Sequence, residues 1–346
     1  METLGLPKSL PQFQKFFPND AACAKYLESV KWPEGFVCPS CAHQGEPFRL
    51  PKKSTAVVLR CRACRRDASL TAGTVMQSSR TPLSTWFWAA YLMTTQTPGI
   101  SSVQFQRQLG LTRNETAFTM LHKLRSGMVR SDRDAIGSEW AIEIDECYVG
   151  GATRGEGSGV HHKSLVVGAV EVCKKQPPED ILERKRWLKK IPASKRIYAG
   201  RLRLQVVPDR RMDMLTGFVK ENIVPKATIL SDGWQGYNEL MKLGYKHKPV
   251  VMDGDPENAE EHLPMIHRIF SNLKTWILGT HHGRVEVQHL QAYLNEFVFR
   301  FNRRLHPMTG FNSILGLASR TVSPTYEELY SGAWEHPGSC PNIEFR

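Results

Sequence analysis

Two C-x-x-C pairs separated by nineteen residues constrain the fold of this chain more tightly than any other feature of its sequence. The first pair lies in V-C-P-S-C and the second in R-C-R-A-C-R-R. Each such turn brings two thiolates close together, and two turns complete a tetrahedral S4 site for Zn2+. Because protein ligands fill all four positions, the predicted ion is structural, within a zinc ribbon whose short strands lie at 48–50 and 56–60. Its ligands are Cys38, Cys41, Cys61 and Cys64.

The alternative use of these cysteines, in two disulfides, requires an oxidising compartment. The N-terminus lacks the charged start and apolar run of a signal peptide, and the other four cysteines are scattered. No stretch approaches the roughly 20 apolar residues of a membrane span. We therefore expect a cytoplasmic, nucleoid-associated protein with no membrane partner.

The charge balance points to a polyanionic partner. The 346 residues include 46 Lys and Arg against 34 Asp and Glu, a formal net charge of +12. An excess of this size favours nucleic acid over a membrane surface, since no lysine-rich amphipathic helix suggests a bilayer. Arginines around the second cysteine pair add a basic surface suited to phosphates.

Residues 82–130 have the pattern of three helices. An aromatic-rich helix is predicted at 84–93, a short helix ended by Gly110 at 99–112, and a third at 113–125 with a capping box of Thr112 and Glu115. A short helix, a glycine turn and a capped helix are typical of a helix-turn-helix, whose last helix enters the major groove. A solvated helix face is the alternative. The candidate DNA contacts are Arg113, Asn114, His122, Lys123 and Arg125.

The following segment alternates strands and helices. Strands are predicted at 140–151, 164–172, 201–207 and 227–234, and helices at 211–222, 234–243, 264–278 and 286–302. Three antiparallel strands followed by helices alternating with further strands describe an α/β sheet of the ribonuclease H type. The charged, proline-broken stretch 174–190 is predicted to be a surface insertion.

Two acids lie at strand ends in this segment. Asp145 is near the end of the first strand, in W-A-I-E-I-D-E-C-Y-V-G-G, and Asp232 ends another in L-S-D-G-W. A carboxylate in a buried strand is costly unless it is paired, caps a helix or binds a metal. In a basic, zinc-bearing chain, two such acids favour metal-dependent phosphoryl transfer. In that reaction, paired Mg2+ ions about 3.5–4 Å apart activate the attacking oxygen and stabilise the leaving one.

The helix predicted at 264–278 contains a histidine whose role the local pattern leaves open. Apolar residues recur from Ile266 to Ile277 with the spacing of one buried helical stripe. At 100° per residue, His267 and Lys274 lie together on one edge of that stripe, and Asn272 points away from them. On this pattern alone, His267 is a core-edge residue, a metal ligand or a surface group.

The order of these motifs resembles that of bacterial insertion-sequence transposases of the DDE superfamily, specifically the ISXO-type group. The resemblance covers about residues 10–318 and includes I-D-E-C-Y-V-G-G, L-S-D-G-W and H-R-I-F-S-N-L-K. Its most specific part runs from G-T-H-H-G to F-N-R-R at 279–304. The resemblance implies that Asp145 and Asp232 are the first two acids of the catalytic triad, with Glu143 and Glu146 as nearby acids outside it.

The third position of that triad departs from the glutamate of the family pattern. It is expected about 35 residues after the second acid and seven before a lysine, which selects His267 and Lys274. Some members of the group are expected to have Asn as the third residue, so Asn272 is the alternative. A neutral imidazole is softer than a carboxylate and suits Mn2+ better than Mg2+. Lys274 is expected to contact a DNA phosphate near the scissile bond.

The resemblance implies a DNA transposase that binds the terminal inverted repeats of an insertion sequence. It is expected to use two catalytic Mg2+ or Mn2+ ions to cut double-stranded DNA and to join the cut strands to target DNA, as a homo-oligomer on DNA. The alternatives are a metal-dependent nuclease of the ribonuclease H type and a DNA-binding protein that has lost catalysis.

Two further groups of residues have local interpretations. Glu296, Arg300 and Arg303 form one stripe of the last helix. The stripe is either an ion-pair ladder or a support for the catalytic helix that offers Arg303 or Arg304 to DNA. The His-His pairs at 161–162 and 281–282 are predicted to lie in loops or to face DNA.

The predicted organisation has five parts. An N-terminal helical segment (1–35) precedes the zinc ribbon (36–70) and the helix-turn-helix domain (80–130). The ribonuclease H-like catalytic domain (136–318) follows, and a C-terminal tail (319–346) ends the chain. Its proline- and glycine-rich part, 322–342, is predicted to be loosely packed.

Overall fold

The computed structural model describes residues 7–50, 57–130, 132–150, 163–192, 195–250, 262–283, 285–318, 324–331, 333–337 and 339. The chain divides into two compact units. The first is formed by residues 1–131 and 303–337, and the second by residues 132–302 and 338–346. The expected end of the catalytic domain at residue 318 is therefore not where the units divide, because residues 303–318 pack with the first unit.

The first unit begins with two short helices and a small sheet. Helices α1 (Leu10–Phe16) and α2 (Asp20–Lys31) start at the side-chain caps Ser9 and Asn19. The strands β1 (Phe48–Leu50), β2 (Val58–Arg60) and β3 (Asp67–Ser69) form an antiparallel sheet. Its core is only a few side chains, Phe36, Cys38, Leu59, Cys61 and Ala68. A core of this size needs a further stabiliser such as a metal.

Helix α3 (Leu83–Thr95) is the centre of the helical part of this unit. Apolar and aromatic residues cover most of its circumference, and nine of its residues are buried. The rings of Phe13, Phe17 and Phe87 each pack against Phe311. The N-terminal helices and the C-terminal part of the chain therefore share one aromatic core.

Two more helices complete the predicted three-helix pattern. Helix α4 (Ser102–Leu109) ends at Gly110, whose φ of 62° is the left-handed conformation that glycine adopts without strain. Helix α5 (Asn114–Ser126) follows, with Arg113 at the N-cap and no side-chain cap. The predicted capping box of Thr112 and Glu115 is wrong, because α5 begins one residue later than that box requires.

The second unit is built on a five-stranded sheet. Strands β4 (Ala141–Val149), β5 (Ser164–Lys174) and β6 (Ile197–Val207) are antiparallel. Strands β7 (Thr228–Ser231) and β8 (Lys246–Pro249) run parallel to β4, in the order β6-β5-β4-β7-β8. This arrangement confirms the expected α/β class. Within this sheet the strand that sequence reasoning missed is β8, which reads K-H-K-P and has no apolar alternation.

Helices cover both faces of this sheet. Helix α6 (Ile181–Lys190) connects β5 to β6 and has no buried residue, so it is the surface insertion that was expected. Helix α7 (Met212–Asn222) packs on one face, against Ile142 and Ile144. Helices α8 (Pro264–His281) and α9 (Val287–Asn302) pack on the other.

The helix predicted at 234–243 does not form. In its place a single 3-10 turn, Gln235–Tyr237, is followed by further turns. Gly236 fits tightly there, since an added Cβ would lie 2.7 Å from Leu215 and 3.0 Å from the carbonyl oxygen of Arg210. Tyr237, the next residue, is fully buried in the core. The packing of these two residues favours turns over the regular helix that the apolar pattern predicted.

The chain returns to the first unit after residue 302. Helix α10 (Pro307–Ala318) packs on α3, and helix α11 (Tyr326–Ser331) packs on α5. Leu329 of α11 is only 1% exposed. The expectation of a loosely packed tail is therefore wrong for this helix. In the part of the chain that the structure describes, no helix is long and apolar enough to cross a membrane.

Candidate active site and nucleic-acid interface

Alternation along β4 sends its acids to opposite faces of the sheet. Glu143 and Asp145 lie on the face covered by α8, together with the buried Cys147 and Val149. Glu146 lies on the opposite face, with Ile142 and Ile144. The side chain of Asp145 is 12% exposed, so it is partly open to solvent at the edge of a dry core. Burial raises the pKa of the neighbouring Cys147 thiol to about 12, which keeps it protonated.

A glycine on β5 lets helix α8 approach the sheet at the level of Asp145. Gly168 is the register partner of Asp145 across the β4–β5 pair. A Cβ at this position would lie 2.9 Å from side-chain atoms of Ile266, Phe270 and Leu204. Because no Cβ is present, α8 packs directly over this point, and its first turn reaches the Asp145 carboxylate.

Glu143 anchors the start of α8 to β4. Its buried carboxylate accepts hydrogen bonds from the backbone N–H groups of Met265 and Ile266, at 2.8 and 2.9 Å. These are two of the N–H groups that the first turn of a helix leaves without a partner. Burial raises the pKa of Glu143, and the two N–H donors oppose that rise. The residue next to this anchor on the helix is His267.

His267 meets Asp145 at this point. Its Nε2 atom lies 3.3 Å from Oδ2 of Asp145, and its side chain is 30% exposed. Lys274, two helical turns further on, is exposed but close enough to Cys147 to lower the pKa of that thiol against the larger effect of burial. Asn272 is exposed, and at 100° per residue it points about 140° away from His267.

Asp232 follows the end of β7, the parallel neighbour of β4. In the parallel β4–β7 pair, Ile142 lies opposite Ile229 and Glu143 lies opposite Leu230. Continuing this register by two residues sets the backbones of Asp145 and Asp232 at one level, on strands about 4.8 Å apart. The backbone N–H of Trp234 donates to Oδ1 of Asp232 at 3.0 Å, which fixes the carboxylate in the turn after the strand.

An arginine that sequence reasoning missed joins the two sides of this site. Arg210 donates two hydrogen bonds to Oε2 of Glu146, at 2.7 and 3.1 Å, and lies 3.7 Å from Oδ2 of Asp232. Its guanidinium stacks on the Trp234 ring at 4.5 Å, and the Trp234 indole N–H donates to the Arg210 carbonyl. Arg210 is therefore a charge partner of one Asp232 carboxylate oxygen, while the Trp234 backbone N–H binds the other.

Glu146 is the buried acid of this network. Its side chain is 1% exposed and accepts hydrogen bonds from Arg210 and from the Tyr237 hydroxyl. Burial raises the pKa of Glu146, and the hydrogen bond from Tyr237 and the charge of Arg210 oppose the rise. Glu143 and Glu146 thus hold the scaffold of the site. The signal that could have assigned these roles is the two-residue alternation of the strand.

The donor groups at this edge fit a divalent cation in their chemistry. Two carboxylates and one imidazole nitrogen are ligands that Mn2+ and Mg2+ accept, the imidazole favouring Mn2+. Asp145 and His267 are already adjacent. Asp232 is turned towards Arg210, and the ligand atoms of these three residues do not all lie within 4.8 Å of one another.

The four predicted zinc ligands form a tighter group. Their sulfur atoms all lie within 4.8 Å of one another, with Cys38 and Cys64 at 3.6 Å and Cys41 and Cys61 at 3.7 Å. Zn–S bonds of about 2.3 Å in tetrahedral geometry place sulfurs about 3.8 Å apart. None of the four is in a disulfide. Burial raises the pKa of Cys38, but hydrogen bonds from the Ser40 and Cys41 backbone and from the Cys41 and Cys64 thiols outweigh it and bring the pKa to about 6.

Helix α5 holds most of the predicted DNA contacts, and their side chains differ in exposure. Arg113 is exposed at the start of the helix. Asn114 is half-buried and joins α5 to α4, with its side chain 3.4 Å from both the Ser102 hydroxyl and the Gln106 amide oxygen. The Lys123 ammonium donates to the Gln77 carbonyl, and partial burial lowers its pKa.

Two of the predicted contacts on α5 are wrong, because they face the interior. His122 is completely buried, and Arg125 is 2% exposed. Neither side chain has access to a duplex in this structure. A surface cleft of about 690 Å3 lies beside the outer face of α5. Its lining combines the cations Arg80, Arg113 and Lys123 with hydroxyl groups from Ser78, Ser79, Thr81, Thr116 and Thr119.

The remaining predicted residues lie on the last helices. Glu296 is fully buried and 3.5 Å from Arg300, as expected for an ion-pair ladder. Arg303 is half-buried, and its pKa is lowered by burial and by the charge of Arg130. His281 packs against the rings of Tyr293 and Trp276. His282 is exposed at the C-cap of α8, whereas the pair at 161–162 lies outside the described residues.

Comparisons with known proteins agree with these features. Residues 138–302 match the model of the ISXO2-like transposase domain, and residues 18–67 match that of the transposase zinc-ribbon domain. A curated relative is named "Uncharacterized protein in transposable element ISH50" of Halobacterium salinarum. It is 24% identical over 292 residues, which cover 83% of this chain and 92% of the relative. No solved structure matches the chain.

Proposed function

Because the chain belongs to the ISXO2-like transposases, we propose that it cuts DNA at the ends of an insertion sequence and joins the cut strands to target DNA. The observation that carries this proposal is the contact between Asp145 and His267, with Asp232 at the same backbone level on the neighbouring strand. Asp145 on β4 and His267 on α8 are 3.3 Å apart, and Asp232 ends the neighbouring strand at the same level.

In this proposal Asp145, Asp232 and His267 would hold the two catalytic ions, Mn2+ or Mg2+. When bound, paired ions supply Lewis-acid activation of the attacking oxygen and stabilisation of the leaving oxygen. The buried carboxylate of Glu143 keeps His267 in place through the first turn of α8. Arg210 fixes Asp232, and Lys274, exposed on the same side of α8 as His267, offers an ammonium group to a DNA phosphate.

The two chemical steps are both displacements at phosphorus. In the first, a water oxygen bonds to the phosphorus at the element end, and the 3′ oxygen leaves with a proton as a free hydroxyl. In the second, that hydroxyl attacks a phosphodiester of target DNA and displaces its 3′ oxygen. The number of phosphodiester bonds is conserved in the second step, so no external energy source is needed.

Duplex DNA is the proposed substrate, and the first unit supplies its recognition. Helices α4 and α5 are proposed to act as a helix-turn-helix that reads the inverted repeats. Arg113 is exposed at the start of the second helix, and Lys123 lines the cleft beside it. Two or more copies of the chain are proposed to assemble on the DNA, since both ends of an element must be joined together.

A paired measurement of cleavage and binding tests this function. With labelled duplexes that carry an element end, the wild-type protein is expected to cut at that end in the presence of Mn2+ or Mg2+. The Asp145→Asn and Asp232→Asn variants are expected to bind the duplex as tightly and to lose cleavage. Binding without cleavage by the wild type would identify a DNA-binding protein that has lost catalysis.

A further inference from the structure

Half of the chain's excess positive charge is concentrated in one short segment of the second unit. Residues 174–196 contain nine Lys and Arg against three Asp and Glu, a net charge of +6 of the total +12. This segment connects the antiparallel strands β5 and β6, which a two-residue turn is enough to join. The fold of the sheet therefore does not require the inserted residues, and none of the proposed catalytic residues comes from them.

The helix at the centre of this segment is well anchored. Asp180 caps its start by accepting the N–H groups of Leu182 and Glu183, and Arg196 donates to the carbonyls of Leu188 and Ile191 at its end. Trp187, the one half-buried residue of α6, lies under the Arg196 guanidinium at 5.5 Å. The C-terminal end of the helix is therefore held to Arg196, the residue before β6, by two hydrogen bonds and by the Trp187 ring.

The cations of α6 are exposed and have no acidic partner among the described residues. All five are exposed, and none is in an ion pair with a described residue: Arg184, Lys185, Arg186, Lys189 and Lys190. Lys185 with Lys189 and Arg186 with Lys190 are like-charged pairs at i and i+4, a spacing that destabilises a helix. A helix that only faces solvent would be more stable with opposite charges at these positions. A bound anionic partner would attract these cations and offset their mutual repulsion.

The distance from the candidate active site suits the proposed DNA substrate. Asp145 is level with Gly168 on β5, and β5 continues for six more residues to Lys174 before the insertion begins. At about 3.4 Å per residue this is about 20 Å. A duplex rises about 3.4 Å per base pair, so the insertion lies about six base pairs from the level of Asp145.

We propose that α6 is a second DNA-contacting surface, which binds the phosphate backbone of the duplex engaged at the active site without reading its sequence. This inference rests on the proposed function, because it assumes that duplex DNA is the substrate. The exposed apolar residues Ile181 and Leu182, at 70% and 67%, suggest a second copy of the chain as the competing occupant. Charge complementarity favours DNA, since five cations on each of two copies would repel.

The test compares two variants that remove equal charge. The first is the triple substitution Lys185→Gln, Lys189→Gln and Lys190→Gln on α6. The control is Lys220→Gln, Lys226→Gln and Lys246→Gln, three exposed lysines of the same unit. Affinity for an element-end duplex and for a duplex of random sequence is measured by fluorescence anisotropy over a range of salt concentrations, with the full chain.

The α6 variant is expected to lose affinity equally for both duplexes, by roughly tenfold at 0.1 M salt for each phosphate that it no longer binds. The slope of log K against log salt should fall by about 0.9 for each such phosphate, whereas the control keeps the wild-type slope. Equal slopes in the two variants would overturn the inference, as would unchanged DNA affinity combined with a lower oligomeric state of the α6 variant. Absence of duplex binding by the wild type would instead refute the proposed function.

Discussion

The imidazole of His267 and the carboxylate of Asp145 lie 3.3 Å apart, although one is on a helix and the other on a strand far away in the sequence. Three features of the strands bring them together. Alternation points Asp145 at the helix, Gly168 lets the helix approach, and Glu143 binds the first turn of that helix. The contact therefore depends on the packing of α8 against β4 and β5.

The role of His267 can be separated from that of Asn272 on the same helix. His267→Ala is expected to lower strand cleavage by at least about tenfold, because the metal site then has one ligand fewer. Asn272→Ala, a matched change on the exposed face, is expected to keep wild-type activity. Single-turnover cleavage rates measure both. Full activity in His267→Ala would show that His267 is not a metal ligand.

The choice of metal follows from the same imidazole. A nitrogen ligand in place of a carboxylate favours Mn2+ over Mg2+, since it is softer and brings no charge. Cleavage by the wild-type protein is expected to be at least as fast with Mn2+ as with Mg2+. His267→Glu should shift the preference towards Mg2+. An unchanged Mn2+ to Mg2+ rate ratio in that variant would contradict the assignment.

Glu143 should matter for stability as well as for activity. Glu143→Gln keeps the size of the side chain but weakens two hydrogen bonds to the start of α8, at a cost of about 1–3 kcal/mol in the free energy of unfolding. Urea unfolding of the full chain measures this. Glu139→Gln removes the same charge from an exposed position and is expected to change stability little. Equal unfolding midpoints for the two variants would show that the anchor is unimportant.

Arg210 and Arg211 are adjacent residues with different surroundings. Arg210 binds the buried Glu146 and lies near Asp232, whereas Arg211 is 67% exposed and pairs with Asp209. Arg210→Gln is expected to slow cleavage and to destabilise the chain by about 1–3 kcal/mol, because Glu146 loses its charged partner. Arg211→Gln should do neither. If the two variants had the same cleavage rates and urea midpoints, Arg210 would have no special role in the site.

The zinc site gives a prediction that is independent of catalysis. The wild-type protein is expected to contain one zinc per chain by elemental analysis, and Cys64→Ser should lower that content. Cys173→Ser changes a cysteine outside the cluster and should retain the metal. Because the ribbon has only a small apolar core, removal of zinc by a chelator is expected to unfold residues of this sheet. Hydrogen exchange of the ribbon amides reports that change.

The sequence predicted those parts of the molecule that rest on local patterns. The cysteine spacing located the ribbon, and the long apolar strands and helices, such as β5 and α8, lie close to their predicted ranges. Tertiary contacts decided the rest. The strand β8 has no alternation of its own, and residues 303–318 join the first unit because Phe311 fills an aromatic core there.

The candidate site shows the same division. The spacing of the family pattern selected His267, and its motif selected Asp145 over Glu143 and Glu146. The contributions of Gly168 and Arg210 depend on which elements face each other, which no single segment of the sequence shows. Arg125 was predicted to face DNA because helical spacing does not reveal which side of α5 packs against the rest of its unit.

Strand transfer is the measurement that tests the central claim most directly. A labelled duplex that carries an element end is incubated with a circular plasmid, the wild-type protein and Mn2+. The predicted result is a labelled strand covalently joined to plasmid DNA, absent with Asp232→Asn and retained with Asp209→Asn. Cleavage of the duplex with no joined product would contradict a transposase and identify a nuclease.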